Sequence, residues 1–256
     1  MRFGCCVGLD ELPIVEDAGY DYAELAAAAV LHAEEPESAF APTRAAVRAV
    51  GLPIEAFNVF MPGHLKITGP SVEVQRVERY VATALRRAAE LGATVQVVGS
   101  AGARNVPDGY PRDQAWAQLV GFLRMAGPHA QRAGMALAIE PLNRGESNII
   151  NSVAEGMRLV NEVGHPAVRV LSDLYHVTLE DEPFDDTAAA GQSLIHVHVA
   201  DTGRLYPGSG QYDYPGYIAA LRGAGYNARI SVECGWGDFA AEAPRALRFL
   251  RDSWAS

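Results

Sequence analysis

The chain has 256 residues, 49% hydrophobic and 20% charged, with a mean hydropathy near zero, so one globular domain over 1–256 is expected and disorder is not. Its 31 Asp and Glu outnumber its 21 Lys and Arg for a formal net charge of −10, and no basic stripe is present, so a nucleic-acid partner is not expected. No apolar run approaches the roughly 18 residues that span a bilayer, and Asp10 and Glu11 interrupt the N-terminal segment too soon for a secretory signal, so the reading is a cytoplasmic protein without a membrane partner.

Short apolar runs rich in β-branched residues recur along the chain, each followed by a stretch of helical period, the pattern of parallel strands with crossover helices. The runs are Arg2–Val7, a weaker Tyr20–Leu25, Pro53–Phe60, Thr94–Val98, Ala136–Ile139, Val168–Ser172, Ile195–Ala200 and Ile230–Val232. Between them, Val74, Val77, Val81, Ala84, Leu85 and Ala88 form one helix face that Gly92 ends. Trp116, Leu119, Val120, Leu123 and Ala126 form another, with Pro128 and Gly134 marking its exit. Val153–Val163 and Tyr217–Leu221 are shorter helices, and Asp238 is the expected N-cap of the last one, which Pro244 should delay or kink.

Eight such units predict a single (β/α)8 TIM barrel. An open doubly wound sheet would need a glycine-rich fingerprint after its first strand, and Val7-Gly8-Leu9-Asp10 lacks one. The turn Gly99-Ser100-Ala101-Gly102-Ala103-Arg104 fits neither that fingerprint nor a P-loop, and reads as a tight turn lining the site. Cys5, Cys6 and Cys234 are too few and too poorly spaced for a disulfide framework or a zinc cluster, and read as small buried residues.

Four late runs end on an ionisable group: Glu140, Asp173, His198 and Glu233. Parallel strands are buried on both faces, so such a group at the carboxyl end costs stability unless it is paired or bound to metal. In a barrel all four converge at the mouth. Three carboxylates and an imidazole, without thiolate, favour Mn2+, with Mg2+ or Co2+ as alternatives. The loops that follow add Asn143, Arg144 and Glu146, then His176, then Arg204 and Pro207-Gly208-Ser209-Gly210. His64, His196, Glu24 at the end of the weak second strand, and Trp236 just past Glu233 are further candidates to contact substrate.

At these residues the sequence resembles the xylose isomerase-like superfamily of sugar isomerases and epimerases, and in motif it is most similar to ketose 3-epimerases. The resemblance is strongest from Ala136 to Trp236. It implies that Glu140, Asp173, His198 and Glu233 hold the metal, that Glu140 and Glu233 double as catalytic acid and base, and that Glu146, His176 and Arg204 hold substrate oxygens. One departure is Cys234-Gly235-Trp236, where ketose epimerases have a Pro-Phe pair, which bears on the substrate more than on the metal. The implied activity is isomerisation or epimerisation of a ketose or related polyhydroxy carbonyl compound through a metal-bound enediolate, in a homodimer or homotetramer. The alternatives are a lyase of the same superfamily, acting on keto-inositols or 3-keto-glycosides, and, remotely, an endonuclease IV-like repair enzyme. The last would need a three-metal site rich in His and a basic DNA face.

Overall fold

The eight apolar runs form eight parallel strands that pair in chain order and close, the last against the first, into a barrel. They are β1 (Arg2–Val7), β2 (Tyr22–Ala26), β3 (Ile54–Asn58), β4 (Val95–Val98), β5 (Ala136–Ile139), β6 (Val168–Asp173), β7 (Leu194–Val199) and β8 (Arg229–Val232). The coordinates are a computed structural model that describes every residue from Met1 to Ser256. Around the barrel run α1 (Leu12–Ala18), α2 (Glu37–Ala49), α3 (Val74–Glu90), α4 (Arg112–Arg132), α5 (Val153–Val163), α6 (Phe184–Ala189), α7 (Tyr214–Gly223) and α8 (Phe239–Ala255). The predicted (β/α)8 barrel is the fold observed.

Three helices depart from expectation. Pro128 does not end α4, which runs on to Arg132 because Ala126, Gly127 and Ala130 on either side of the proline are buried and hold the turn. Likewise α8 starts directly after Asp238, whose side chain accepts from Ala241 N at 3.2 Å, and passes through Pro244. α2 carries no long apolar stripe, only Phe40 and Thr43 buried in an Ala-rich segment, and so gave no periodic signal.

The core is divided. One cluster of 61 buried residues fills the space between barrel and helices. A separate group of Ala56, Val95, Val97, Ala138 and Leu171 belongs to β3 through β6. Ala56, Ala138 and Leu171 sit two residues before Asn58, Glu140 and Asp173, so by strand alternation they share the inward face with them. The remaining strands fill the interior with polar side chains: Tyr22, Glu24, His196, His198 and Ser231, all wholly buried. Gly4 on β1 makes room for this half, since a Cβ there would lie 2.2 Å from the Tyr22 ring.

Candidate metal centre

Each of the four strand-end groups is placed by its strand. Asp173 closes β6 and is the register partner of His198 on β7. Glu140 follows β5 and Glu233 follows β8, their backbone N–H groups continuing the sheet by bonding Val98 O at 3.2 Å and Val199 O at 3.0 Å. One potential ligand atom from each of Glu140, Asp173, His198 and Glu233 lies within 4.8 Å of the others. His198 Nδ1 sits 3.0 Å from Glu140 Oε1 and 3.6 Å from Glu233 Oε2.

Burial sets the charges. It pushes the Asp173 carboxyl up to about 7 and raises Glu140 as well. Burial acts on Glu233 in the same sense, but His198 and Arg204 outweigh it and hold that carboxyl at about 2. His198 is raised well above the usual imidazole range, because Glu24 and Glu233 overcome the effect of burial. A hard divalent cation fits these donors, three carboxylates and one imidazole. Asp173 Oδ2 supports the fit: it is buried and has no hydrogen-bond partner.

Around the cluster lies a ring of donors. Asn143 N and Nδ2 both point at His176 Nδ1, at 3.1 and 2.8 Å, so that nitrogen accepts and the ring proton sits on Nε2. His176 Nε2 is buried, unpartnered and 3.6 Å from Asp173 Oδ2, a free donor aimed into the cluster. Burial and the nearby Arg204 lower this imidazole to about 3, so it is a neutral donor at physiological pH. Arg204 bridges Glu146 Oε1 and Glu233 Oε2, both at 2.9 Å, with its guanidinium over the Tyr175 ring.

The remaining candidates fall in different places. Trp236 stacks on Tyr206 with ring centroids 6.3 Å apart, just beyond Glu233. His64 is 62% exposed and bonds Glu34 Oε2 at 3.0 Å rather than any member of the cluster. The expectation that Glu24 touches substrate is corrected: it is 0% exposed and both its oxygens are taken, by His196, His198 and Ser231. His196 is buried with it, beneath the cluster. Cys5 is buried as expected, while Cys6 and Cys234 are half-buried, and all three are free.

Asn58 escaped the sequence reading, which placed the Gly99–Arg104 turn at the site without showing what its residues hold. Asn58 ends β3 and donates to Glu233 Oε1 at 2.8 Å; lying inside the apolar run Pro53–Phe60, it gave no strand-end signal in the sequence. Arg104 is buried in the turn after β4, donating to Val98 O at 3.1 Å and Glu140 O at 2.7 Å, so the Gly99–Arg104 turn braces the Glu140 backbone. Gly99 itself lies against the Glu140 side chain. An apolar cavity of about 510 Å³ among Ile67, Val77, Tyr110, Phe122 and Met125 includes no cluster residue and no ionisable carboxyl or imidazole.

Residues 12–253 match the model of the family described as xylose isomerase-like TIM barrel. The chain belongs to that family. Within it, the chain is similar to 3-dehydro-D-guloside 4-epimerase of Escherichia coli (strain K12), with 27% identity over 256 residues, 96% of this chain and 92% of that protein. It is also similar to D-psicose 3-epimerase of Agrobacterium fabrum, with 33% identity over 126 residues, which cover 48% of this chain and 44% of that one. Among solved structures, E. coli 3-keto-D-glucoside 4-epimerase superposes with a TM-score of 0.83 at 24% identity, over 98% of this chain and 99% of that one. A D-psicose 3-epimerase structure determined in the presence of D-fructose gives 0.86 at 22% identity, over the full length of both. At those identities the superpositions speak for the barrel. The family and the sugar-epimerase kinship expected from the motifs are borne out.

Proposed function

We propose that this chain is a divalent-metal-dependent epimerase of a ketose or keto-sugar that inverts the carbon next to the carbonyl through an enediolate. One observation carries this reading: Glu140 and Glu233 approach the same atom, His198 Nδ1, at 3.0 and 3.6 Å. Two carboxyls flank one imidazole there, so one can take a proton while the other returns one. A base and an acid that share one small centre can remove a proton from one face of a carbon and return it to the other.

Glu140, Asp173, His198 and Glu233 would hold the cation, Mn2+ by preference with Mg2+ or Co2+ as alternatives. When bound, such an ion supplies Lewis-acid polarisation of the carbonyl, worth several kcal/mol. The chain's own groups do the rest. His176 Nε2–H donates to a substrate oxygen, Arg204 and Glu146 orient the neighbouring hydroxyls, and the Trp236–Tyr206 stack forms a wall for the sugar.

A 3-keto-glycoside is a second reading of the substrate. The relative named as a 3-dehydro-D-guloside 4-epimerase matches 96% of this chain, against 48% for the D-psicose 3-epimerase, and Glu233 is followed by Cys234-Gly235-Trp236 rather than the Pro-Phe pair of the ketose-epimerase pattern. A lyase has less support: a 3-dehydroshikimate dehydratase of Pseudomonas putida is 28% identical over 52% of this chain and 24% of its own length. Solvent-proton exchange, followed by NMR in D2O with Mn2+-loaded protein, ketoses and 3-keto-glycosides, tests these readings. Metal-dependent deuteration at one carbon, with no enone absorbance, is the expected result. An enone would mark a lyase, and no exchange in any substrate with metal bound would overturn the epimerase reading.

A further inference from the structure

The metal cluster rests on a second, wholly buried polar layer for which the proposed chemistry has no use. Glu24 on β2 and His196 and His198 on β7 are separated in the sheet by β1 and β8, yet they meet across the barrel interior. His196 Nε2 lies 2.7 Å from Glu24 Oε2, and His198 Nε2 lies 2.9 Å from Glu24 Oε1. Ser231 Oγ donates to Glu24 Oε2 at 2.6 Å, and the Tyr22 hydroxyl is 2.8 Å from Ser231 Oγ. The pairing of β2 with β3 shifts register between Ala23 and Glu24, an irregularity of the kind that re-aims a side chain beside an active site.

Counting hydrogens fixes the direction of this network. Ser231 has one hydrogen and gives it to Glu24, so the Tyr22 O–H donates to Ser231. An ionised carboxylate only accepts, so both imidazoles reach it through an Nε2–H. For His198 that leaves Nδ1 as the nitrogen turned toward Glu140 and Glu233. His196 Nδ1 is buried without a partner, which suits a neutral ring whose one proton is on Nε2.

We propose that Glu24 is a positioning residue whose carboxylate fixes the Nε2–H and the ring plane of His198, so that Nδ1 is the metal-ligating nitrogen, while His196, Ser231 and Tyr22 hold Glu24 in place. The proposal rests on the metal reading above. It assigns to this barrel a carboxylate–histidine–metal relay in which the carboxylate comes from β2, across β1 and β8 from the histidine's own strand. In metal sites generally, loss of such an outer partner weakens metal binding by about 10- to 100-fold.

Two measurements test it. In 15N-histidine-labelled wild-type protein loaded with Mg2+, His198 should carry a proton on Nε2 and none on Nδ1. A proton on Nδ1 instead would overturn the proposal. In Mn2+ titrations followed by the EPR signal of the free ion, Glu24→Gln should bind about 10- to 100-fold more weakly than wild type. An unchanged dissociation constant, or a lower melting temperature of the metal-free protein with full affinity in the folded fraction, would reduce Glu24 to a structural role and sink the idea. Should Glu24→Gln not fold, the wild-type His198 spectrum decides alone. If wild type bound no metal, the metal reading would fail separately. The metal-free spectrum would then still test the contact, since a bare His198 Nε2 contradicts it.

Discussion

A Cβ placed on Gly99 would stand 1.9 Å from Glu140 Oε2. The glycine at the end of β4 is therefore the space into which the Glu140 carboxylate fits, and not only a turn residue. Gly99→Ala should leave the barrel folded while pushing that carboxylate out of the cluster. Displacements of this order cost about 100-fold in rate. Circular dichroism should be unchanged while the proton-exchange rate falls; retention of full activity would show that Glu140 has slack.

Glu233 is held ionised by His198 and Arg204, and it is the group we assign as base. Glu233→Gln keeps the shape and one oxygen but cannot take a proton. Exchange should fall by about 100- to 10,000-fold, the usual worth of a positioned acid or base. Wild-type exchange in the metal-loaded variant would remove Glu233 from the proton transfer.

Metal affinity should rise with pH. In the metal-free fold Asp173, raised to about 7, and His198, also raised, both hold protons that a bound cation must displace. The stability sign follows from the same shifts. Both folded-state values lie above the unfolded ones, so these groups favour the metal-free fold at lower pH and that contribution is lost as pH rises through their folded values. Glu233 works in the opposite sense, but only between its folded value of about 2 and its ordinary value of 4.5. The gap in melting temperature between Mn2+-loaded and metal-free protein should therefore widen from about pH 6 to about pH 8. A constant gap across that range would contradict the assignment of Asp173.

Arg204 forks between Glu146 and Glu233 at 2.9 Å each and lies over Tyr175. A lysine keeps the charge but cannot make both bonds or the stack. Arg204→Lys should lose about 1.5–3 kcal/mol of transition-state binding, the worth of a charged hydrogen bond. That is about a 10- to 100-fold fall in kcat/KM. A change of less than twofold would place Arg204 outside the site.

The parts of this molecule that follow chain-local rules were legible in the sequence. The eight strands came from apolar runs, and the four clustered groups from ionisable residues that no buried strand end tolerates alone. Bounds were less legible, because a strand ends where pairing ends: the run Pro53–Phe60 contributes only Ile54–Asn58 to the sheet. Glu24 was singled out but given the wrong neighbours. Its strand position is like that of the clustered groups, and only closure of the barrel reveals that His196, His198 and Ser231 take up its oxygens. Asn58 and Gly99 act through residues 175 and 41 positions away, Glu233 and Glu140, which no local pattern encodes.

The seam between β1 and β8 has a consequence for the making of this protein. Tyr22 and Glu24 emerge early in synthesis, whereas their partners Ser231 and His198 emerge some two hundred residues later, the Tyr22–Ser231 pair being 209 apart. Until β8 docks, the buried carboxylate of Glu24 faces an open barrel and the cluster lacks Glu233. A nascent chain therefore cannot gather all four strand-end groups before β8 is in place. The four-residue cluster is complete only once the ring has closed.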